Sequence, residues 1–268
     1  MRPAVQHSNR SDSKQRWILT QGLRDTVELF ARSWARLPRA AWQAWLRALI
    51  VGWLLGAALM LALVWLGRAL LADETRLFQQ VVALIPFSFH AAIWVEAPGN
   101  SVFMIPVMLA ATIIAARRGL PLHALSILAA FCLIDTLILL GWLIWDRSRP
   151  TLVYGGIAAP GFHSFPSGHI AQTISLYGLF VYFWARASRR WSERLFALAL
   201  LIIVVVAIGL ARLRLGAHWP SDIGAGALIG TAWLLTIITA LRRAEAAQPQ
   251  AAAALVAPAV ASAKRPLR

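Results

Sequence analysis

The tetrapeptide Pro166-Ser167-Gly168-His169 begins one long apolar run of the chain. The stretch Arg212-Leu-Arg-Leu-Gly-Ala-His-Trp-Pro-Ser-Asp222 ends the next apolar run and begins the last. A third polar stretch, Asp146-Arg-Ser-Arg-Pro150, stands at the end of an earlier apolar run. Charged groups at the boundary of a membrane are costly unless they are paired or used. We therefore expect the three stretches to meet at one face of a membrane and to form a single site there.

The composition of the chain is that of a helical membrane protein. Of its 268 residues, 59% are hydrophobic and only 14% are charged, and the mean hydropathy is +0.65. A soluble domain of ordinary composition is less apolar than this. The formal net charge of +15 fits either nucleic acid or an anionic membrane as a partner. Because the basic residues stand in the N-terminal region and in short links between apolar runs, we expect a lipid bilayer and no nucleic acid.

The apolar runs predict an all-α fold, a six-span transmembrane helical bundle with a short interfacial segment between spans 1 and 2. The single cysteine, Cys132, excludes a disulfide or a thiolate metal site within one chain. The interfacial segment is residues 72–100, whose apolar middle is broken by Pro86 and is short for a span. The spans are expected at about 44–71, 101–116, 123–145, 167–185, 195–213 and 223–241.

The ends of the chain differ from its middle. We expect a basic cytoplasmic segment over residues 1–43, a membrane domain over 44–243, and a disordered Ala/Pro-rich tail over 244–268. In the first segment, residues 18–34 predict either an amphipathic helix on the membrane surface or a loose tail. With six spans, the basic links after spans 2, 4 and 6 share one side with the N-terminus, and the positive-inside rule makes that side cytoplasmic. The polar stretches then lie on the opposite face.

The tetrapeptide has the features of an anion-binding helix start. Pro166 suits the first helical position, where its missing N–H costs nothing, and Gly168 allows a ligand to approach the backbone. The free N–H groups of a helix N-terminus bind anions, and His169 in the first turn would face the bound group. The alternative is a simple junction between a loop and a helix, with an incidental histidine.

The second stretch places a histidine and an aspartate four residues apart. With Pro220 starting a helix between them, Asp222 is expected to accept a hydrogen bond from one imidazole nitrogen of His218. The other nitrogen is then free to act as a nucleophile or a base. Arg212 offers a permanently charged, planar fork that suits phosphate oxygens. The alternative is an exposed histidine near a helix cap, with arginines that extend toward water.

Together the three stretches resemble the type-2 phosphatidic acid phosphatase superfamily. That family carries a lysine, six residues and Arg-Pro, then Pro-Ser-Gly-His, then Ser-Arg, five residues, His, three residues and Asp. The matching positions here are Arg149-Pro150, the tetrapeptide, and Arg212 with His218 and Asp222. Two positions depart, since Trp142 stands where the family has lysine and Ala211 where it has serine. We hypothesise that Arg147 supplies the missing cation.

The resemblance implies a mechanism without a metal or a cofactor. His218 would attack phosphorus, His169 would act as acid and then base, and Asp222 would orient His218. The phosphoryl oxygens would be held by the remaining site residues, Arg149, Arg212, Ser167 and Gly168, with Arg147 as the hypothetical additional cation.

The resemblance also implies the class of substrate. We expect an integral membrane lipid phosphatase that acts on undecaprenyl pyrophosphate, phosphatidylglycerol phosphate, phosphatidic acid or a lipid A phosphate. In a bacterium it would lie in the inner membrane with its site on the periplasmic face. A lipid-to-lipid phosphotransferase and a non-catalytic protein that binds anionic lipid remain alternatives. His90 and Glu96, in the interfacial segment, are as readily surface residues as parts of a cover over the site.

Overall fold

The computed structural model describes residues 8–71, 73–150 and 163–263, with side chains described from residue 20 to residue 248. Predictions for the first seven and last five residues fall outside this part. The described chain is helical throughout, with short connections and one 3-10 turn over Ala97–Gly99. The helices are α1 Ser8–Ala35, α2 Arg39–Leu70, α3 Thr75–Leu84, α4 Phe89–Glu96, α5 Ser101–Arg117, α6 Pro121–Ile144, α7 Gly168–Ala187, α8 Trp191–Arg214 and α9 Pro220–Ala263.

Five stretches are long and apolar enough to cross a membrane: α2, α4 with α5, α6, α8, and α9 to Gln248. The sixth predicted span, α7, has 20 residues but falls short of the others in apolarity. Its polar side chains Thr173 and Ser175 are buried against neighbouring helices, so α7 needs less apolar surface than a helix that faces lipid. The structure therefore confirms the membrane bundle, with α7 at its centre between α6, α8 and α9.

Two glycines on α9 let it lie against the first turns of α7. A Cβ atom on Gly226 would come 2.6 Å from the carbonyl oxygen of Ser167, and one on Gly230 would come 2.7 Å from that of Ala171. Small residues spaced by four are typical of close helix contacts in membranes. This crossing fixes the N-terminal end of α7 beside the start of α9.

The segment expected to be interfacial forms α3 and α4, and α4 is also part of the apolar stretch that continues through α5. Both helices pack on the end of α8. Phe78 of α3 is buried against Leu213 and Trp219, and Ala92 of α4 is buried against Ala211. Ala211, which replaces the family serine, is thus a packing position for α4. The segment covers one end of the bundle.

The first and last described helices extend beyond the helical stretches expected from the sequence. α1 is held against α5 because Arg117 donates from Nε to Thr26 Oγ1 at 2.8 Å and from Nη2 to the Gly22 carbonyl at 3.1 Å. At the other end, α9 continues through Ala263, past residue 244, where we expected disorder to begin. The alanine-rich composition of the tail favours helix, since alanine has the highest helix propensity.

Candidate active site

Three backbone contacts bring the polar stretches together at the end of the bundle that α3 and α4 cover. The Ser167 N–H donates to the carbonyl oxygen of Asp222 at 3.0 Å. The Arg149 guanidinium donates to the carbonyl oxygen of Ala217 at 2.9 Å. The Ser164 carbonyl oxygen lies 2.8 Å from Nδ1 of His218. The sequence prediction that the three stretches meet thus agrees with the arrangement in the fold.

His218 is buried and has a defined tautomer. Because a carbonyl oxygen can only accept, its contact with Ser164 places the proton on Nδ1 and leaves the lone pair on Nε2. Burial of the ring lowers the pKa of His218 to about 4, and the nearby carboxylate of Asp222 offsets only part of this effect. At neutral pH the ring is therefore uncharged, as a nitrogen nucleophile requires.

Asp222 does not accept directly from His218, which corrects the sequence expectation. Its Oδ2 lies 3.6 Å from His218 Nδ1, too far for a hydrogen bond. The Ser164 hydroxyl donates to Oδ2, so this one residue contacts the ring through its carbonyl and the carboxylate through its side chain. The Trp219 N–H also donates to Oδ2, at 2.8 Å. Asp222 therefore acts on His218 through its charge and through Ser164.

Arg147 faces carboxylates and lies on the far side of Asp222 from His218. Its Nη1 donates to Asp222 Oδ1 at 2.8 Å, and its Nη2 donates to Glu74 Oε1 at 2.7 Å. The expectation that Arg147 replaces the family lysine as a phosphate ligand does not agree with these partners. The lysine position itself, Trp142, holds an indole that stacks on the ring of His163 and donates to the Pro166 carbonyl at 3.4 Å.

Four buried polar atoms near the start of α7 have no hydrogen-bond partner among the described residues. They are Ser167 Oγ, His169 Nε2, Thr173 Oγ1 and Arg212 Nε. His169 lies within electrostatic range of Arg212, His218 and Arg149. Buried polar groups are almost always paired, so such a cluster points to a bound polar group that completes it. The free N–H groups of the first turn of α7 add further donors there.

Two guanidinium groups adjoin this cluster. Burial and the neighbouring charge of Arg212 lower the pKa of Arg149. Arg212 is itself buried, and its Nη1 pairs with Glu96 at the end of α4. A phosphoryl group beside these two guanidinium groups would add negative charge and accept hydrogen bonds from their planar forks. Among the described residues, no three His, Cys, Asp or Glu side chains form a group that could hold a metal ion.

The sequence did not predict a role for Ser164 or Thr173, or the contact of Glu74 with Arg147. Thr173 follows His169 by four residues, so helical periodicity alone places it on the same face of α7. Ser164 precedes the tetrapeptide by two residues, but nothing in its spacing indicates a contact with position 218. Glu74 contacts Arg147 across 73 residues of sequence, a pairing that only the fold reveals.

Comparison with known proteins agrees with this geometry. The model of the PAP2 superfamily matches residues 120–245, which include all three polar stretches and confirm the resemblance drawn from them. The fold is similar to that of a transmembrane PAP2 type phosphatidylglycerolphosphate phosphatase from Bacillus subtilis. That likeness has a TM-score of 0.55 at 20% identity and covers 68% of this chain and 93% of that one.

LpxE from Aquifex aeolicus is also similar, at 21% identity and a TM-score of 0.47, over 62% of this chain and 93% of that one. A comparison with curated proteins gives no match.

Proposed function

Because residues 120–245 belong to the PAP2 superfamily, we propose that this protein is an integral membrane lipid phosphatase that works through a phosphohistidine on His218. The observation that carries the proposal is the neutral, buried ring of His218, whose Nδ1 hydrogen is held by Ser164. A nucleophile needs a free lone pair at working pH, and this arrangement leaves one on Nε2.

The first half of the reaction transfers the phosphoryl group to the enzyme. Nε2 of His218 forms a bond to phosphorus while the bond from phosphorus to the lipid oxygen breaks, and His169 gives its proton to that oxygen. The ring of His218 then carries positive charge, which the carboxylate of Asp222 at 3.6 Å stabilises. In the second half, His169 takes a proton from water, the water oxygen bonds to phosphorus, and the phosphorus–nitrogen bond breaks to restore neutral His218.

Four donors around the start of α7 form the proposed cradle for the phosphoryl oxygens. Arg149 and Arg212 supply charge, while the Ser167 hydroxyl and the Gly168 N–H supply directed hydrogen bonds. Phosphoryl transfer depends mainly on positioning and on stabilising charge over three equatorial oxygens. Donors that are already in place supply that stabilisation in a buried site. Thr173 adds a hydroxyl on the same face of α7.

An apolar groove between membrane helices supports a lipid substrate. It has a volume of about 330 Å³ and lies between α5, α7 and α8, lined by Tyr177, Val181, Ala197 and Val204 among others. On α7 the groove begins at Tyr177, eight residues after His169, and on α8 it begins at Val204, eight residues before Arg212. The hydrocarbon chain of a lipid whose headgroup occupies the site is proposed to follow the seam between α7 and α8 into this groove.

The side of the membrane follows from charge. The basic residues that follow α5 and α7, and those at the start of α8, lie at the end of the bundle opposite the site. Arg242 and Arg243, within α9, lie at the same end. By the positive-inside rule the site faces away from the cytoplasm. In a bacterium this is the periplasmic face of the inner membrane, where the candidate substrates are undecaprenyl pyrophosphate, phosphatidylglycerol phosphate, phosphatidic acid and lipid A phosphates.

The direct test is phosphate release by the purified protein in detergent, with EDTA present and each candidate lipid supplied in turn. We expect release from at least one lipid, loss of it in His218→Ala, and full activity in His90→Ala, which alters an exposed histidine of α4. Adding a lipid alcohol and following labelled phosphate separates hydrolysis from transfer to lipid. Lipid binding without any turnover in the parent protein would refute the enzyme and favour the non-catalytic alternative.

The groove has its own test. Ala197 is buried and lines the groove, so Ala197→Phe should fill it, while Leu198→Phe changes a residue that is 46% exposed. We expect Ala197→Phe alone to raise KM for a long-chain substrate and to leave KM for a short-chain, water-soluble phosphate ester unchanged. Equal effects on both substrates would refute the chain site but not the phosphatase.

A further inference from the structure

We infer that Glu74 is a positioning residue for the nucleophile, acting through Arg147 and Asp222, and that this trio keeps one net negative charge beside His218. The inference rests on the proposed phosphohistidine chemistry. It gives a function to a glutamate outside the three polar stretches, in the connection between α2 and α3.

The contacts tie Glu74 to the base of the site. Its carboxylate is buried and accepts from Arg147 Nη2 at 2.7 Å and from the Ser221 N–H at 3.0 Å. The Ser221 hydroxyl also donates to it, while accepting from Arg147 Nη1 at 2.7 Å. Ser221 directly precedes Asp222 in the first turn of α9. Glu74 therefore holds both the cation that binds Asp222 and the backbone that carries Asp222.

Arg147 is fixed in this position by two aromatic rings. Its guanidinium carbon lies 4.9 Å from the ring centroid of Trp145 and 5.4 Å from that of Trp219. Cations over aromatic faces are attracted to them, more so away from water. Turning Arg147 toward a substrate phosphate would leave two buried carboxylates without their shared cation, which is strongly unfavourable. Arg147 is thus a structural cation of the site.

The charge of the trio adds to the field at His218, where Arg212 and Arg149 contribute positive charge and Asp222 contributes negative charge. Two carboxylates and one guanidinium leave one net negative charge beside the ring. Without Glu74, the guanidinium of Arg147 at 2.8 Å would neutralise Asp222, and His218 would lose the charge that stabilises its cationic, phosphorylated form. Glu74 restores that charge from the far side of Arg147, without occupying the space that the substrate needs.

The test is a charge-restoring pair of substitutions, read out as kcat and KM with a lipid phosphate that the parent protein hydrolyses. Glu74→Gln should lower kcat by about 10- to 100-fold, as other residues that orient a reacting group's partner do, and should leave KM within about threefold. Glu74→Gln combined with Arg147→Met again leaves one net negative charge, on Asp222. It should therefore regain at least about tenfold in kcat over Glu74→Gln.

The double variant contains no unpaired cation, so it keeps the test valid if Glu74→Gln fails to fold. The matched control is Glu245→Gln, which breaks an exposed ion pair with Arg186 and should keep the parent kcat. The inference is overturned if Glu74→Gln keeps the parent kcat, if its whole effect is on KM, or if the folded double variant stays as slow as the single one. A parent protein without His218-dependent turnover would instead refute the proposed function.

Discussion

His218 should make the stability of the protein depend on pH in a way that a single substitution removes. Its pKa is about 4 in the folded protein, against an ordinary value of 6.5. The unfolded chain therefore binds a proton more readily, and the stability that the neutral ring contributes is complete above about pH 6.5 and is lost as the pH falls toward 4. Between about pH 7.5 and about pH 5 the loss amounts to about 2 kcal/mol.

Thermal unfolding in detergent at these two pH values measures the loss. For a domain of this size, about 2 kcal/mol corresponds to a fall in Tm of about 4–8 °C. His218→Asn keeps a nitrogen donor for the Ser164 carbonyl but cannot titrate, so it should remove this part of the fall. Other groups titrate equally in both proteins, and the difference isolates His218. If parent and variant lose the same Tm on acidification, then His218 is not the buried neutral base described above.

Three further substitutions test the surroundings of the nucleophile. Ser164→Ala removes the hydroxyl that donates to Asp222 but keeps the carbonyl that holds His218, so kcat should fall about tenfold, corresponding to about 1.4 kcal/mol, with KM unchanged. A rise in KM in steady-state kinetics would contradict this. Gly226→Val should lower the free energy of unfolding by about 1–3 kcal/mol and lower Tm, because its Cβ meets the Ser167 carbonyl at 2.6 Å, whereas Gly224→Ala has open space and should change neither. Equal Tm values for the two variants would refute the close crossing. Glu96→Gln frees Arg212 Nη1 from a competing carboxylate, so the inhibition constant of orthophosphate should fall about tenfold, a change of about 1.4 kcal/mol in binding free energy. An unchanged inhibition constant would show that Glu96 does not compete with phosphate.

Much of the fold followed from the sequence because each apolar run carries its own signal. The start of α9 at Pro220 could be placed from its helix-start residue, whereas α7 begins at Gly168, two residues after the Pro166 that the sequence placed at the first helical position. α7 was also expected as a span, and it is the least apolar of the six. It needs less apolar surface than the others because its polar residues are buried among helices.

The detailed partners within the site did not follow from the sequence. The spacing of His218 and Asp222 predicted a direct hydrogen bond, yet the loop before α7 brings the Ser164 carbonyl closer to the ring. The hypothesis that Arg147 contacts phosphate does not agree with its partners, because Glu74 reaches it from another part of the fold. Local spacing fixes which groups share a helix turn, while tertiary contacts decide which of them meet.

Capture of a phosphorylated intermediate would show whether His218 is the nucleophile. His169→Ala should slow attack by water on the intermediate, by about 10²–10⁴-fold for a lost acid or base, so phosphoenzyme should accumulate. The measurement is rapid quenching of this variant with phosphorus-labelled substrate that carries a good leaving group, followed by location of the label on the chain. We predict an acid-labile, alkali-stable label on His218 that is absent from the His169→Ala/His218→Ala double variant. Label on another residue, or turnover without any phosphoenzyme, would contradict the account.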